Sequence, residues 1–190
     1  MRSIDDFTIK EFEQLQKLLK GFDTDKRKSN NIDYISIFEL FGEDFTKLKL
    51  VEFQKKWKEI SIVNISHKPV APIYRLNGKR LKVMMNLTKL NAAQFIDLQS
   101  IISNGNKLNE LLSIYLIPQK RTWFGWKTMK YNDGYDILEL REEIYEHMTI
   151  SAAQSMADFF LNISTKLLSV TEMYLKKKLA KQKMKEMKVQ

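Results

Sequence analysis

The stretch Thr149-Ile-Ser-Ala-Ala-Gln-Ser-Met-Ala-Asp-Phe-Phe160 begins a helical pattern that neither Pro nor Gly interrupts as far as Gln190. Ser151 stands three residues before Gln154, which is the spacing of a capping box, in which each side chain bonds the other residue's backbone N–H. Apolar residues then recur at alternating spacings of three and four and so predict one apolar helical face. These are Ala153, Met156, Phe160, Ile163, Leu167, Val170 and Tyr174.

The composition of this predicted helix changes after Tyr174. Residues 175–190 hold seven Lys and one Glu, a net charge of +6, whereas the remaining 25 basic and 22 acidic residues give only +3. For contact with nucleic acid, this charge distribution favours the basic extension over a broad face on the body of the chain. Plain solvation and contact with an acidic protein surface are the other interpretations of the same side chains. They are Lys176, Lys177, Lys178, Lys181, Lys183 and Lys185.

The composition of the 190 residues is that of a folded protein, with 44% hydrophobic residues. The absence of Cys excludes disulfides, Cys-ligated zinc and thiol catalysis. The sequence has no run of about 18 apolar residues, which a membrane-spanning helix would need. No secretory signal precedes Asp5 and Asp6. We therefore expect a protein of the cytoplasm, or one that is assembled there.

The first sixty residues are predicted to form a small helical subdomain. Thr8 and Glu11 have the spacing of a capping box, and apolar residues follow on one face, so a helix is expected from about Ile9 to Lys20. Asp33 is placed to cap a short second helix that ends at Gly42. A third helix is expected over about residues 44–60.

Residues 61–174 are predicted to hold a β-hairpin and a helical core. Ile73-Tyr-Arg-Leu76 and Arg80-Leu-Lys-Val83 flank Asn77-Gly78, and Asn-Gly accepts the positive φ angles of a two-residue type I′ turn. The β-branched stretch over residues 60–65 is a candidate third strand, since an isolated hairpin is only marginally stable.

The rest of this core is predicted to be helices and one loop. Asn91 and Gln94 form a further capping box, a helix over 107–116 is closed by Pro118, and Asp136 caps a helix that reaches about residue 147. Residues 120–134 are expected to be a loop. The fold class is therefore mainly α with minor β content, in three parts: 1–60, 61–174 and the basic extension 175–190.

No catalytic signature accompanies these elements. The sequence contains no phosphate-binding loop, no dinucleotide fingerprint and no nucleophile elbow. Only His67 and His147 are available as histidines, and Ile144 occupies the position at which a di-metal carboxylate motif would need Glu. We expect no enzymatic activity, no metal and no cofactor.

The predicted loop is rich in aromatic residues. Buried in the core, they would only fill space, whereas exposed on a loop they would form an anchor for a partner, since Trp and Tyr dominate contact hot spots. Stacking on a single nucleic-acid strand is a third interpretation. The candidate partner-binding residues in this loop and at the start of the basic extension are Trp123, Phe124, Trp126, Tyr174, Leu175 and Leu179.

Residues 72–165 resemble the tail-assembly-chaperone-like proteins that tailed bacteriophages encode among their tail and virion genes. The segments that carry the resemblance are Tyr74-Arg-Leu-Asn-Gly-Lys79, Leu87-Thr88, Ala93-Gln-Phe-Ile-Asp97, Leu111 to Pro118, Met148-Thr-Ile-Ser-Ala-Ala153 and Phe159-Phe160. The resemblance implies a non-enzymatic structural or assembly protein of the tail or head–tail region. Such a protein would form homo- or hetero-oligomers with other phage proteins, in the host cytoplasm during assembly or in the virion. The alternative hypothesis is a nucleic-acid-binding protein that uses the basic extension.

Overall fold

The computed structural model describes residues 2–20, 33–44, 47–61, 64–86, 89–104, 107–131 and 133–163. Over these residues the protein is mainly helical with one four-stranded antiparallel sheet. The helices are α1 (Ile9–Lys20), α2 (Tyr34–Leu40), α3 (Leu50–Ser61), α4 (Ala92–Ser103), α5 (Leu108–Tyr115), α6 (Ile137–His147) and α7, helical over residues 150–163. The strands β1 (Ile73–Leu76), β2 (Lys79–Val83), β3 (Leu116–Thr122) and β4 (Gly125–Thr128) are neighbours in that order.

Side-chain caps start four helices where the sequence predicts them. At α1, the Thr8 hydroxyl accepts from the Glu11 backbone N–H at 3.2 Å, and the Glu11 carboxylate accepts from the Thr8 N–H at 2.8 Å. Asn91 and Gln94 make the same reciprocal pair at α4. Aspartates cap α2 and α6. These caps satisfy N–H groups that a helix cannot satisfy internally, which is why local sequence predicts them well.

The predicted cap of the C-terminal helix is wrong. The helix begins earlier, because the Ala153 N–H already donates to the Thr149 carbonyl at 3.0 Å. Ser151 is buried inside the first turn, and its hydroxyl donates to the Ser66 carbonyl at 2.9 Å. The hydroxyl therefore ties α7 to the segment before β1. The apolar face itself is confirmed as far as the structure describes it, with Met156 and Phe160 buried.

The main core lies between one face of the sheet and the helices α4 to α7. Leu76, Leu81, Val83 and Leu116 point from the sheet into this core and are buried. At its centre the Tyr115 and Phe160 rings stack with centroids 3.9 Å apart. We call this face of the sheet its inner face.

A second apolar cluster joins α1, α2 and α3, with Phe7, Phe38 and Ile60 among its buried members. It is continuous with the rest of the protein, since the backbone around Thr8 forms an antiparallel bridge with that around Thr149. The subdomain boundaries predicted after residues 60 and 174 stay predictions.

The largest difference from the sequence prediction lies in residues 116–128. Pro118 does not close α5 but lies inside β3, and the expected loop contains the second half of β3 and all of β4. The Pro118 carbonyl accepts from the Met129 N–H at 2.9 Å, on the side of β3 that faces β4. In an antiparallel strand the N–H and C=O of one residue point to the same side. The N–H that Pro118 lacks would therefore point towards Met129, one residue beyond the end of β4 at Thr128. The proline is therefore tolerated in a central strand.

The predicted strand over residues 60–65 is also wrong. Ile60 and Ser61 are the last residues of α3, which begins at Leu50 and not near residue 44. Residues 64 and 65 have no regular structure, and 62 and 63 lie outside the described part of the chain. Ile60 fits the helical spacing of Phe53 and Trp57, which pack on the same cluster, and this periodicity outweighs its β propensity.

The Asn77-Gly78 turn between β1 and β2 is confirmed, with φ angles of 45° and 77°. A Cβ at Gly78 would touch nothing within 4 Å, so a substitution there tests backbone conformation alone. Gly78→Ala is expected to lower the free energy of unfolding by about 1–2 kcal/mol, because L-residues disfavour left-handed backbone. Gly78→Asn should cost less, since Asn tolerates this conformation. Urea unfolding measures both, and equal stability of the Ala variant and the parent would contradict the assignment.

Candidate interaction surface on the sheet

Two aromatic side chains occupy the tip of the hairpin formed by β3 and β4. Trp123 is 96% exposed and Phe124 is 97% exposed, the highest values among the large apolar residues described. Both lie in the two-residue connection between Thr122 and Gly125, which pair across the hairpin. The positive φ of this turn falls on Gly125, at 117°. The glycine relieves the turn of strain, so the two aromatic residues are held at the tip in ordinary backbone conformations.

The face of the sheet that points away from the main core carries polar, basic and aromatic side chains. Because directly paired residues share a face, the register places Arg75, Arg80, Gln119 and Thr128 in one row across all four strands. Lys82 lies in the neighbouring row on one side, and Arg121 lies opposite Trp126 on the other. We call these seven residues, together with the partly exposed Ile73 and the buried Ile117, the outer face.

The sheet concentrates positive charge. Residues 73–83 and 116–128 contain seven Lys or Arg and no Asp or Glu. Residues 175–190 contribute a further +6, so the remaining 18 basic and 22 acidic residues of the chain give −4. The body of the protein is balanced only on average, because a strongly basic sheet is offset by a net negative charge over the rest of the chain before residue 175.

Trp126 and Arg80 are arranged together on the outer face. The Arg80 guanidinium lies 5.1 Å from the centroid of the Trp126 ring, within the range of a cation–π contact. Its Nε donates to the Gln119 amide oxygen at 2.8 Å, and the Gln119 amide donates to the Thr128 hydroxyl at 3.1 Å. These bonds fix the guanidinium over one part of the ring, while Trp126 remains 49% exposed.

Most of the cations on the sheet have no acidic partner among the described residues. Lys79 is the exception, since it contacts Glu143 at 2.7 Å and Glu139 at 2.9 Å. These hydrogen bonds raise the pKa of Lys79 and neutralise its charge locally. The other strand cations without an ion pair to any described residue are Arg75, Arg80, Lys82, Lys120, Arg121 and Lys127.

Two like-charge pairs lie directly across strands. Arg75 pairs with Arg80 on the outer face, and Lys120 pairs with Lys127 on the inner side of the projecting hairpin. Like charges in directly opposed positions destabilise a sheet. Lys120 and Lys127 also line a shallow cavity of about 220 Å³ beside Met129. Both sides of this hairpin therefore present positive charge that a bound anionic group would offset.

The segment that follows β4 is fastened to α4. The Tyr131 hydroxyl donates to the Asp97 carboxylate at 2.7 Å, and Tyr131 is buried. Burial and this hydrogen bond raise the pKa of Tyr131 above its ordinary value of 10.0. The contact fixes the end of the hairpin that lies opposite its aromatic tip.

Tyr131→Phe is expected to lower the free energy of unfolding by about 1–2 kcal/mol at neutral pH, because a hydrogen bond to a charged acceptor is lost. The folded-state pKa is raised, so this contribution is complete below the unfolded value near pH 10.0 and is lost as the pH rises through the folded value. The parent protein should therefore lose stability more steeply above pH 10 than the variant. Parallel profiles in urea unfolding at several pH values would contradict this assignment.

The structure shows part of the surface that the sequence proposes. Trp123, Phe124 and Trp126 come together on one hairpin, two at its tip and one on the outer face. Tyr174, Leu175 and Leu179 lie outside the described residues, as do all the lysines of the basic extension. Arg121 adjoins the aromatic residues in the sequence, but Arg75, Lys82 and Arg121 were not predicted to share one surface. The signal that could have revealed this surface is the concentration of basic residues in two segments free of acid.

The described residues hold neither a metal-binding cluster nor a helix that could span a membrane. Within them, no three side chains from His, Asp and Glu come close enough to hold a metal ion. None of the described helices has the length and apolarity needed to span a membrane. No family model, curated protein or solved structure matches this chain.

Proposed function

We propose that this chain is a non-enzymatic structural or assembly protein of a tailed bacteriophage and acts by binding other phage proteins. The observation that supports it is the nearly complete exposure of Trp123 and Phe124 at the tip of a rigid hairpin. Large aromatic side chains are the commonest binding hot spots, and an isolated protein gains nothing from leaving two of them in water. The phage assignment itself rests on the resemblance of residues 72–165.

The proposed partner is a protein of the tail or the head–tail region, bound in the host cytoplasm during assembly, with retention in the virion as the further possibility. Bound in this way, the chain would form a homo- or hetero-oligomer. The start of the basic extension, from Tyr174 to Leu179, is proposed as a second contact. Removing residues 171–190 should then weaken association and leave the described core folded.

Deletion of the gene tests this proposal. A phage without the gene is expected to produce host lysis with few complete particles, and supplying the chain in trans should restore them. Electron microscopy of the lysate identifies which part of the particle is missing. Mass spectrometry of purified particles separates a retained component from a transient assembly factor. A normal yield of complete particles without the gene would contradict the proposal.

Nucleic-acid binding through the basic extension is the second candidate function. It is favoured by the seven Lys against one Glu in residues 175–190. Binding of this kind releases counterions and is therefore steeply dependent on salt. The part of the binding that the extension supplies should be lost when Lys176, Lys177, Lys178, Lys181, Lys183 and Lys185 are replaced by Gln, and binding that is insensitive to salt would contradict it.

A further inference from the structure

We propose that the outer face of the sheet is a second binding site, which takes an extended single-stranded nucleic acid across the four strands. This site is separate from the hairpin tip and from the basic extension, and it does not depend on the proposed phage function. Three features of the sheet support this site: its charge, the arrangement of Trp126 and the row of polar side chains that crosses the strands.

Charge identifies the ligand as a polyanion. The strands and turns over 73–83 and 116–128 contain no acidic residue, and Arg75, Lys82 and Arg121 make no ion pair with any described residue. Arg75 also faces Arg80 directly across β1 and β2. A phosphate group between or above these two guanidinium groups would turn a repulsive pair into a shared anion site.

The geometry fits a chain of phosphates. Adjacent strands are about 4.8 Å apart, so the row from β1 to β4 spans about 14 Å. Cations stand at the β1 and β2 positions of this row, and Arg121 stands beside its far end. The positive charge thus forms a track that crosses the strands, which is long enough for a few nucleotides of a single strand.

Trp126 distinguishes a nucleic acid from an acidic protein surface. It lies on the same face as the cations, one side of its ring is held by Arg80, and about half of the residue stays exposed. Bases stack on aromatic rings and on guanidinium planes whatever their sequence. A duplex keeps its bases stacked internally and could not use this ring, and a run of Asp and Glu side chains would have no aromatic ring to place on it.

The experiment uses the full chain and fluorescence anisotropy of a labelled oligothymidine, measured between roughly 50 and 200 mM salt. The outer-face variant carries Arg75→Gln, Lys82→Gln and Arg121→Gln. The matched control removes three exposed charges elsewhere, with Lys17→Gln, Lys49→Gln and Lys55→Gln. The outer-face variant should bind at least about tenfold more weakly, and the slope of log K against log salt should fall by about 2. The control should bind like the parent.

Two further variants separate this site from the other possibilities. Trp126→Leu should weaken binding by about tenfold and leave the salt slope unchanged, because it removes stacking and no charge. A chain with the six lysines between 176 and 185 replaced by Gln should still bind, and that binding should disappear when the three outer-face substitutions are added. Circular dichroism and urea unfolding establish that each variant is folded.

Several results would overturn the proposal. The first two are a parent chain that binds the matching duplex as tightly as the single strand or tighter, and one that binds polyglutamate as tightly as the single strand. The other two are an outer-face variant that binds like the control, and no binding by the chain with the six Gln substitutions. Polyglutamate binding would assign the outer face to an acidic protein partner instead.

Discussion

A chain carrying Trp123→Ser and Phe124→Ser is expected to fold normally and to fail in association with the proposed phage partner. Each aromatic residue at the centre of an interface typically contributes at least about 2 kcal/mol, which is close to 30-fold in affinity. Removing both should weaken association by at least about 100-fold and reduce the yield of complete particles in trans complementation. The free energy of unfolding should change by less than about 0.5 kcal/mol, because neither side chain is buried in the free protein.

Leu50 and Val51 supply a matched control for this variant. They are adjacent, apolar and exposed by 71% and 76%, and they lie at the start of α3 and not on the sheet. Leu50→Ser with Val51→Ser removes a comparable pair of surface side chains and should complement normally. If both double variants complement equally well, the hairpin tip is not the contact. If only the control fails, the contact lies on α3.

The second large effect concerns the core beneath the sheet. Phe160→Ala is expected to lower the free energy of unfolding by about 3–5 kcal/mol, since it removes a fully buried ring and leaves a cavity against Tyr115. That is a large fraction of the stability of an ordinary domain. The loss is large because the ring fills the space between α5 and α7.

Phe159 is the control for this substitution. It is only partly buried and meets the Phe160 ring edge-on, with centroids 5.3 Å apart. Phe159→Ala should therefore cost clearly less than Phe160→Ala in urea unfolding. A larger loss from Phe159 would mean that the apolar face of α7 is turned by one residue from the position described above.

The elements that local sequence predicts correctly are those that local chemistry decides. Thr8 with Glu11 and Asn91 with Gln94 satisfy helix N–H groups within one turn, and Asn77-Gly78 accepts the positive φ of its hairpin. None of these needs information from elsewhere in the chain. The helices and the first hairpin were therefore predictable from short segments.

The second hairpin was not predictable in this way. Its turn carries Trp and Phe where Asn-Gly would be expected, and its first strand contains Pro118, which usually ends an element. Both become acceptable only in the folded protein. Gly125 takes the positive φ, and the end of β4 makes the missing N–H of the proline harmless. The role of Ser151 could not be predicted from local sequence either. Its hydroxyl donates to the Ser66 carbonyl, which lies 85 residues away along the sequence.

The candidate surface was likewise predictable from the sequence only in part. Trp123 and Phe124 could be singled out from composition, but their exposure depends on the hairpin that was missed. The basic outer face could not be seen in the net charge of the body, because the positive charge of the sheet is largely offset by the net charge of −4 over the rest of the body. Only the pairing of β2 with β3 brings residues near 80 and near 120 onto one surface.

The central proposal is that the tip of this hairpin contacts a phage structural protein, and photo-crosslinking during infection tests it most directly. A photoreactive phenylalanine analogue placed at position 124 should give a discrete adduct that mass spectrometry identifies as a phage structural protein. The same analogue at position 51 should give none. An adduct from position 51 alone, or no protein adduct from position 124, would contradict the account.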